Sequence, residues 1–201
     1  EAFAADAGAE VLASGGNAVD AAVTCALAQG VLDPHDSSIG GYILVNFHRN
    51  TDAPGRSRMI DAPATAGSLT SPDMWANEYI GPNPDNWGFF LRSKANELGY
   101  TSICTPGTVR GLAQLLERWG TITFAQAVEP AARLADEGFA VDNRVASYWL
   151  TPAGYPEQTS LLDYVRANAE ASKIYLKPDG TPYLTGETIR NPDYARTLRE
   201  L

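Results

Sequence analysis

The chain has 201 residues and a net charge of −9 at neutral pH, with 44% hydrophobic and 19% charged residues. This acidic balance argues against a nucleic-acid-binding protein, whose phosphate contacts need a basic face, and no apolar run of about eighteen residues indicates a membrane span. The composition is typical of a folded chain and not of a disordered one.

The chain begins with a helical pattern. Residues 2–14 are predicted to form a helix that ends at Gly15, because glycine accepts the positive φ that commonly closes a helix. The face predicted to pack on the core carries Phe3, Ala7, Val11 and Leu12.

The second predicted helix, residues 17–31, is built almost wholly of small residues. Asn17 suits its N-cap, and Asp20 falls in the first turn, where a negative charge favours the helix dipole. Because no face of this helix carries bulk, we expect neighbouring backbones to approach it closely. The following turn contains Pro34, which stops regular structure, and His35, which we expect at the surface.

A glycine turn at 40–41 leads into a predicted strand over residues 42–48, and turn signals separate it from a second predicted strand over residues 58–61. The two strands should form a hairpin. A small-residue helix joined through glycine turns to a strand is typical of a buried position in the middle of a layered α/β core.

The segment from 62 to 86 is predicted to be rich in loops, with a short helical turn at 73–75. Aromatic side chains in the stretch 83–90 are compatible with a surface loop or with a lid over a pocket, and the surface loop is the simpler interpretation.

The second half of the chain is predicted to be mainly helical. Helices are expected over 110–119, 124–137 and 142–148, with Pro130 splitting the middle helix or starting a new one. Residues 151–188 are predicted to be rich in turns, and Asn191 is predicted to cap a final helix.

Common cofactor and metal motifs are missing from the sequence. There is no P-loop, no GxGxxG, no CxxC and no HxxxH, so we predict neither a cofactor nor a metal site. Cys25 and Cys104 are compatible with one disulfide or with two buried thiols, and two buried thiols is the simpler interpretation.

Several short motifs follow one another along nearly the whole chain. They are GGNAVDAAV (15–23), Pro34 followed by IGG (39–41), PGTVRGL (106–112), WG (119–120), EPA (129–131), LA (134–135), EGF (137–139), GET (186–188) and NPDYARTL (191–198). In this order and at this spacing they resemble the N-terminal part of the large subunit of γ-glutamyltranspeptidase-like proteins.

The resemblance implies an α+β fold, the four-layer αββα sandwich of N-terminal-nucleophile (Ntn) hydrolases. Residues 1–201 would form one incomplete region of it, without an internal domain boundary. The resemblance also implies a precursor that cuts itself into two chains. The nucleophile is then the N-terminal threonine of the small (β) subunit, with its own α-amino group as base. We therefore expect no catalytic residue in this chain, the small subunit as partner, and a small-molecule amide as substrate.

The family motif Asp-x-Arg-Glu followed by Ala-Pro supplies an arginine that pairs with the α-carboxylate of a γ-glutamyl group. Here the matching stretch is Asp61-Ala62-Pro63, in which the Arg-Glu pair is either replaced by Pro63-Ala64 or deleted. The resemblance implies Asp61 and Pro63 as substrate-binding residues, and the alternative for Asp61 is a cap of the following turn. Arg58 should face away from Asp61, because it lies three residues earlier in the same strand.

A second departure from the family pattern lies in the glycine turn. Ser38 and Tyr42 stand where the family often has glycine. We expect the turn to tolerate both residues.

Three functions are compatible with these residues. The missing arginine favours an amidohydrolase that acts on an amide other than a typical γ-glutamyl one. The first alternative is a genuine γ-glutamyltransferase in which another cation, such as Arg92, Arg110 or one from the small subunit, holds the carboxylate. The second is a non-catalytic subunit that uses the fold as a binding surface.

Overall fold

The first third of the chain folds into two helices and a hairpin, as its sequence predicts. A computed structural model describes residues 2–84 and 88–201. The elements of the first third are helix α1 (Ala2–Ala13), helix α2 (Ala18–Leu32), strand β1 (Ile43–Phe47) and strand β2 (Arg58–Ala62). Gly15 has a φ of +93° after α1, and Asn17 caps α2, which confirms both predicted ends.

Helices α1 and α2 pack closely because small residues meet where they cross. A Cβ added to Gly8 would lie 3.1 Å from the carbonyl oxygen of Ala21. On the predicted core face of α1, Ala7 is buried and Val11 partly buried, whereas the prediction was wrong for Phe3 and Leu12, which are half-exposed. Bulky side chains on that face would hold the two backbones apart, and the buried residues of α1 are instead Ala4, Ala7 and Gly8.

Strands β1 and β2 pair antiparallel, with Ile43 opposite Ala62 and Phe47 opposite Arg58. Side chains alternate between the two faces of this hairpin. One face packs on the helices and carries Ile43, Val45, Phe47, Ile60 and Ala62. The other face, which we call the open face, carries exposed Leu44, Asn46, Met59 and Asp61. The prediction of a buried strand therefore holds for only one side of the hairpin within the described residues.

The predicted loop region after β2 contains a second, shorter hairpin. Strand β3 spans Tyr79–Pro82 and pairs antiparallel with strand β4, Phe89–Leu91. A 3-10 helix, Ala76–Glu78, follows the turn predicted at 73–75, and another spans Tyr100–Ser102. The aromatic stretch 83–90 lies partly outside the described residues, because 85–87 are not among them.

Two longer helices come next, helix α3 (Thr108–Trp119) and helix α4 (Phe124–Glu137). The hydroxyl of Thr123 caps α4 by accepting from the Gln126 N–H. Pro130 lies inside α4, and the prediction that it splits the helix was wrong. Proline removes one hydrogen bond to the carbonyl four residues earlier, and this carbonyl belongs to Gln126, an exposed residue that water can reach.

The rest of the chain is more helical than its sequence suggests. Helix α5 spans Asn143–Leu150, helix α6 spans Leu161–Ala167, helix α7 spans Ala169–Tyr175 and helix α8 spans Pro192–Glu200. Strands β5 (Phe139–Ala140) and β6 (Thr188–Ile189) pair antiparallel. The turn-rich prediction for 151–188 missed α6 and α7, which are short helices capped by Ser160 and Asn168, whereas the cap at Asn191 is confirmed.

The core lies between the helices and one face of the β1–β2 hairpin. Its buried side chains form one cluster that includes residues as distant in sequence as Ala4 and Leu198. Cys25 and Cys104 are both free, and Cys104 is exposed, contrary to the prediction of a buried thiol. None of the helices in the described ranges is long and apolar enough to cross a membrane.

Candidate functional site

The end of strand β2 meets the start of helix α3 with no side chain between them. A Cβ added to Gly107 would lie 2.5 Å from the Pro63 carbonyl oxygen and closer still to that of Ala62. A Cβ added to Gly111, one turn later, would lie 2.8 Å from the Ala62 Cβ. These distances are too short for any larger residue, so the two glycines allow α3 to lie directly behind the strand end.

The glycine turn before β1 joins the same place. The Gly107 N–H donates to the Gly41 carbonyl oxygen at 2.9 Å. Beyond β2, Thr65 and Thr105 exchange two backbone hydrogen bonds of 3.0 and 2.8 Å. Three segments that are far apart in sequence, around residues 41, 63 and 107, therefore form one junction, which we call the strand-end junction.

The two residues predicted to bind substrate, Asp61 and Pro63, lie at this junction. Both are exposed, and Asp61 points to the open face of the hairpin. Among the described residues, the Asp61 carboxylate makes no hydrogen bond and no ion pair. Its capping of the following turn is therefore not observed.

Arg58 faces away from Asp61, as predicted from the alternation of the strand. Its guanidinium forms two bonds with Asp52, at 2.9 and 2.6 Å, and lies 5.8 Å from the centre of the Trp119 ring. Hydrogen bonding to Arg58 lowers the pKa of Asp52 below its ordinary 3.8. This cation therefore lies on the helix side of the hairpin, away from Asp61.

Arg92 and Arg110 were the other cations predicted to be able to hold a substrate carboxylate. Arg92 is exposed, and its side chain donates to the Asn77 carbonyl oxygen at 3.3 Å. Arg110 is exposed in the first turn of α3, between Gly107 and Gly111, and makes no ion pair among the described residues. Of the two, only Arg110 lies in an element that contacts the end of β2.

A fully buried aspartate, Asp20, links α2 to the loop between α3 and α4. Its carboxylate accepts from the backbone N–H groups of Asn17, Thr121 and Ile122 and from the Thr121 hydroxyl, at 2.6 to 3.3 Å. Burial alone would raise the pKa of Asp20, but these hydrogen bonds outweigh it and lower the pKa below 3.8. We assign Asp20 a structural role, since both of its carboxylate oxygens already accept hydrogen bonds from the protein.

A second buried aspartate, Asp33, belongs to a cluster at the other end of α2. Its carboxylate oxygens lie 3.0 Å from His35 Nε2 and 3.1 Å from Arg144 Nη1. Neither oxygen makes a hydrogen bond with these neighbours, so the positive charge of Arg144, and not directional bonding, balances this carboxylate. Arg144 also donates to Asp36 at 2.5 Å, which ties α5 to the turn after α2.

His35 is buried within this cluster, so the prediction of a surface histidine was wrong. Its side chain is only 3% exposed, because Tyr148 and Trp149 of α5 cover it with ring centres 3.8 and 6.4 Å away. Burial lowers the pKa of His35 below its ordinary 6.5. Arg144 acts in the same direction, against the opposing effects of nearby aspartates.

The same turn brings together three potential metal ligands that the spacing rules did not identify. Donor atoms of Asp33, His35 and Asp36 lie within 4.8 Å of one another. Carboxylate and imidazole groups suit a divalent transition metal. However, the Arg144 guanidinium already contacts both carboxylates, and it supplies the positive charge that an ion would bring. We therefore assign the cluster to the α2–α5 connection.

Comparisons with known proteins agree with this architecture. The family model described as Gamma-glutamyltranspeptidase matches residues 4–201. The chain is 31% identical over 199 residues to the Glutathione hydrolase proenzyme of Bacillus subtilis (strain 168), covering 98% of this chain and 30% of the relative. It is also 31% identical over 199 residues to the Acylase ACY 1 proenzyme of Pseudomonas sp. (strain SE83), covering 98% of this chain and 32% of that protein.

A solved structure shows the same fold. The gamma-glutamyltranspeptidase of Helicobacter pylori superposes with a TM-score of 0.82 at 26% identity, over all of this chain and 51% of that one. The match confirms the predicted Ntn-hydrolase fold and its incomplete extent. The chain spans about 30% of the length of the curated relatives it matches.

Proposed function

Because the chain belongs to the gamma-glutamyltranspeptidase family, we propose that it is part of the large subunit of a self-processing amidohydrolase. In this proposal the small subunit of the same precursor carries the nucleophile, an N-terminal threonine. The proenzyme names of the relatives support processing of a precursor.

In the proposed mechanism the threonine hydroxyl attacks the amide carbonyl and its own α-amino group takes the proton. The amine leaves, and water or an acceptor amine then releases the acyl group. The described chain would contribute one wall of the cleft at the strand-end junction. Its role there is to bind and orient the acyl portion, with Asp61 and Pro63 as the contact residues.

We further propose that the substrate is an amide other than a typical γ-glutamyl one. The observation that carries this proposal is the exposed carboxylate of Asp61, which has no partner among the described residues and is followed directly by Ala62 and Pro63 with no arginine. A bidentate arginine normally anchors a carboxylate through two charge-assisted bonds. Without this arginine, Asp61 has no cation partner among the described residues, and its carboxylate would repel a second carboxylate.

A genuine γ-glutamyltransferase is the second candidate, and the position of Arg110 favours it. This residue lies in the first turn of α3, next to the two glycines that contact the strand end, and makes no ion pair within the described ranges. If Arg110 holds the α-carboxylate, Arg110→Gln should weaken the binding of γ-glutamyl substrates and leave simple amides unaffected.

The test is a substrate panel assayed with the intact two-chain protein. It includes γ-glutamyl-p-nitroanilide with and without glycylglycine, and p-nitroanilides of uncharged acyl groups. We expect cleavage of the uncharged amides to dominate. Dominant γ-glutamyl transfer to glycylglycine would instead support the second candidate.

A small subunit that does not begin with threonine would contradict both catalytic proposals. It would leave the third possibility, a non-catalytic binding subunit. N-terminal sequencing of that chain therefore accompanies the assay.

A further inference from the structure

The open face of the β1–β2 hairpin carries an aromatic side chain beside the proposed contact residues. Tyr42 directly precedes β1 and is 71% exposed. Extending the register by one residue places it opposite Pro63, just as Ile43 lies opposite Ala62. Tyr42 and Asp61 are then diagonal neighbours on one face, at roughly 7–8 Å, which is within reach of an aromatic side chain.

The backbone at Tyr42 is held firmly in spite of this exposure. The Gly41 carbonyl oxygen accepts from the N–H groups of Gly107 and Thr108, at 2.9 and 3.3 Å. On the preceding side, the Ser38 hydroxyl accepts from the Gly40 N–H at 3.0 Å and closes the turn. The phenol ring therefore projects from a fixed point at the strand-end junction.

We propose that Tyr42 is a specificity-determining residue of this site, whose ring and Pro63 form an apolar wall for a flat or aromatic, uncharged acyl group. The inference rests on the proposed function and deepens it by naming the substrate class. Aromatic rings supply a large contact area at low conformational cost and pair favourably with other rings. Proline adds a rigid apolar surface without a donor to satisfy.

Charge at the site supports the same substrate class. Asp61 is the charged neighbour of the wall and has no cation partner among the described residues. A substrate carboxylate would bring a second negative charge close to it, whereas an uncharged acyl group avoids this repulsion. The wall and the aspartate together therefore select against an amino-acid acyl group with a free carboxylate.

The experiment compares acyl groups on one leaving group, using the intact two-chain protein. Phenylacetyl-p-nitroanilide, acetyl-p-nitroanilide and γ-glutamyl-p-nitroanilide are assayed with the wild type, Tyr42→Ala and Tyr42→Phe. Tyr100→Ala is the matched control, because Tyr100 is also a highly exposed tyrosine but lies in a 3-10 helix outside the hairpin. Processing into two chains and the thermal midpoint are measured for each variant to exclude unfolding.

We expect Tyr42→Ala to lower the ratio of kcat/KM for phenylacetyl over acetyl substrate by about tenfold or more, as loss of a hydrophobic contact does. Tyr42→Phe and Tyr100→Ala should leave the ratio within about twofold of the wild type, because both keep the ring at position 42. An equal loss for all three substrates in Tyr42→Ala would overturn the inference, since it indicates packing against the partner subunit. A loss in Tyr42→Phe as large as in Tyr42→Ala would also overturn it, since the hydroxyl and not the ring would then be the determinant.

The two proposals fail in different ways. If the wild type cleaves only the γ-glutamyl substrate, the proposed function is wrong and the inference falls with it. If the wild type prefers phenylacetyl substrate but the ratio is the same in Tyr42→Ala, the proposed function stands and only the role of Tyr42 is lost.

Discussion

Helix α2 buries an aspartate at each end, and the protein stabilises the two carboxylates in different ways. Asp20, in the first turn, accepts four hydrogen bonds from residues of its own cap and of the α3–α4 loop. Asp33, at the C-terminal end, has no such bonds and is balanced by contacts with Arg144 and His35. Both side chains are fully buried, so the difference lies in their partners and not in their exposure to water.

Because of this difference, the contacts at the N-terminal end of α2 do not depend on pH, whereas those at its C-terminal end include a titratable group. Every partner of Asp20 is an N–H or hydroxyl donor without a pKa near neutrality, so the bonding does not change over physiological pH. At the other end, His35 is a titratable group, and burial lowers its pKa below the ordinary 6.5. The turn that contains His35 leads to Gly41 and the strand-end junction, so the titratable end is the one connected to the candidate site.

The largest expected effect comes from Asp20→Asn. Each carboxylate oxygen of Asp20 accepts two hydrogen bonds, and the amide replaces one of these oxygens with an NH2 group. Two buried donors then lose their acceptor. We expect the free energy of unfolding to fall by about 3 kcal/mol, the cost of leaving buried polar groups unsatisfied. Urea denaturation of the two-chain protein followed by circular dichroism measures it. Asp6→Asn on the exposed side of α1 serves as control, and an equal effect in both variants would contradict the special role of Asp20.

Asp33→Asn should cost less than Asp20→Asn. It removes the attraction to Arg144, but it also removes the penalty of burying a charge, and Arg144 keeps its contact with Asp36. We expect a loss of about 1 kcal/mol in the free energy of unfolding, measured in the same way. A loss as large as that of Asp20→Asn would show that the two ends of the helix are equivalent after all.

The pKa of His35 gives a finer test, because two neighbours shift it in opposite directions. Asp33 raises this pKa and Arg144 lowers it, while Asp36 and Asp142 act with Asp33. Asp33→Asn should therefore lower the pKa of His35 further, and Arg144→Gln should raise it. Titration of the imidazole signals by NMR measures both, with the exposed His48 as the internal control. Shifts of the same sign in the two variants would be inconsistent with the observed cluster.

The smallest expected effect is the contribution of His35 to the pH dependence of stability. Burial keeps the folded-state pKa below 6.5, so between these two values the unfolded chain binds more protons than the folded one. The free energy of unfolding therefore falls as the pH drops below 6.5 and stops falling below the folded-state pKa. His35→Gln should flatten this decline in stability below pH 6.5. A decline of the same size in His35→Gln and in the wild type would show that His35 does not cause it.

The sequence was sufficient for the elements whose signals are local. Asn17, Thr123 and Asn191 each cap a helix as predicted, because a cap depends on residues two or three positions away. Alternation along β2 correctly placed Arg58 and Asp61 on opposite faces. Helices α6 and α7 were missed because each has only seven residues, too few for an apolar period to stand out among polar neighbours.

Contacts between residues far apart in the chain could not be predicted from the sequence. Asp20 was predicted to favour the helix dipole, but its donors at Thr121 and Ile122 follow a hundred residues later. His35 was predicted at the surface because nothing near it in sequence indicates that Tyr148 and Trp149 cover it. The substrate-binding role of Asp61 and Pro63 stays a prediction, although the structure places both at the same exposed junction.

The close contact between Gly107, Gly111 and the end of β2 also limits how this site can change over evolution. Gly107 packs against the backbone of the strand end and Gly111 against the side chains of Ile43 and Ala62, so any substitution at either glycine adds atoms where there is no room. The glycine side of the strand-end junction therefore does not accept the small changes in side-chain volume that an ordinary packed core accepts. New specificities must arise on the open face, through residues such as Tyr42, or through the length of the loop after Asp61.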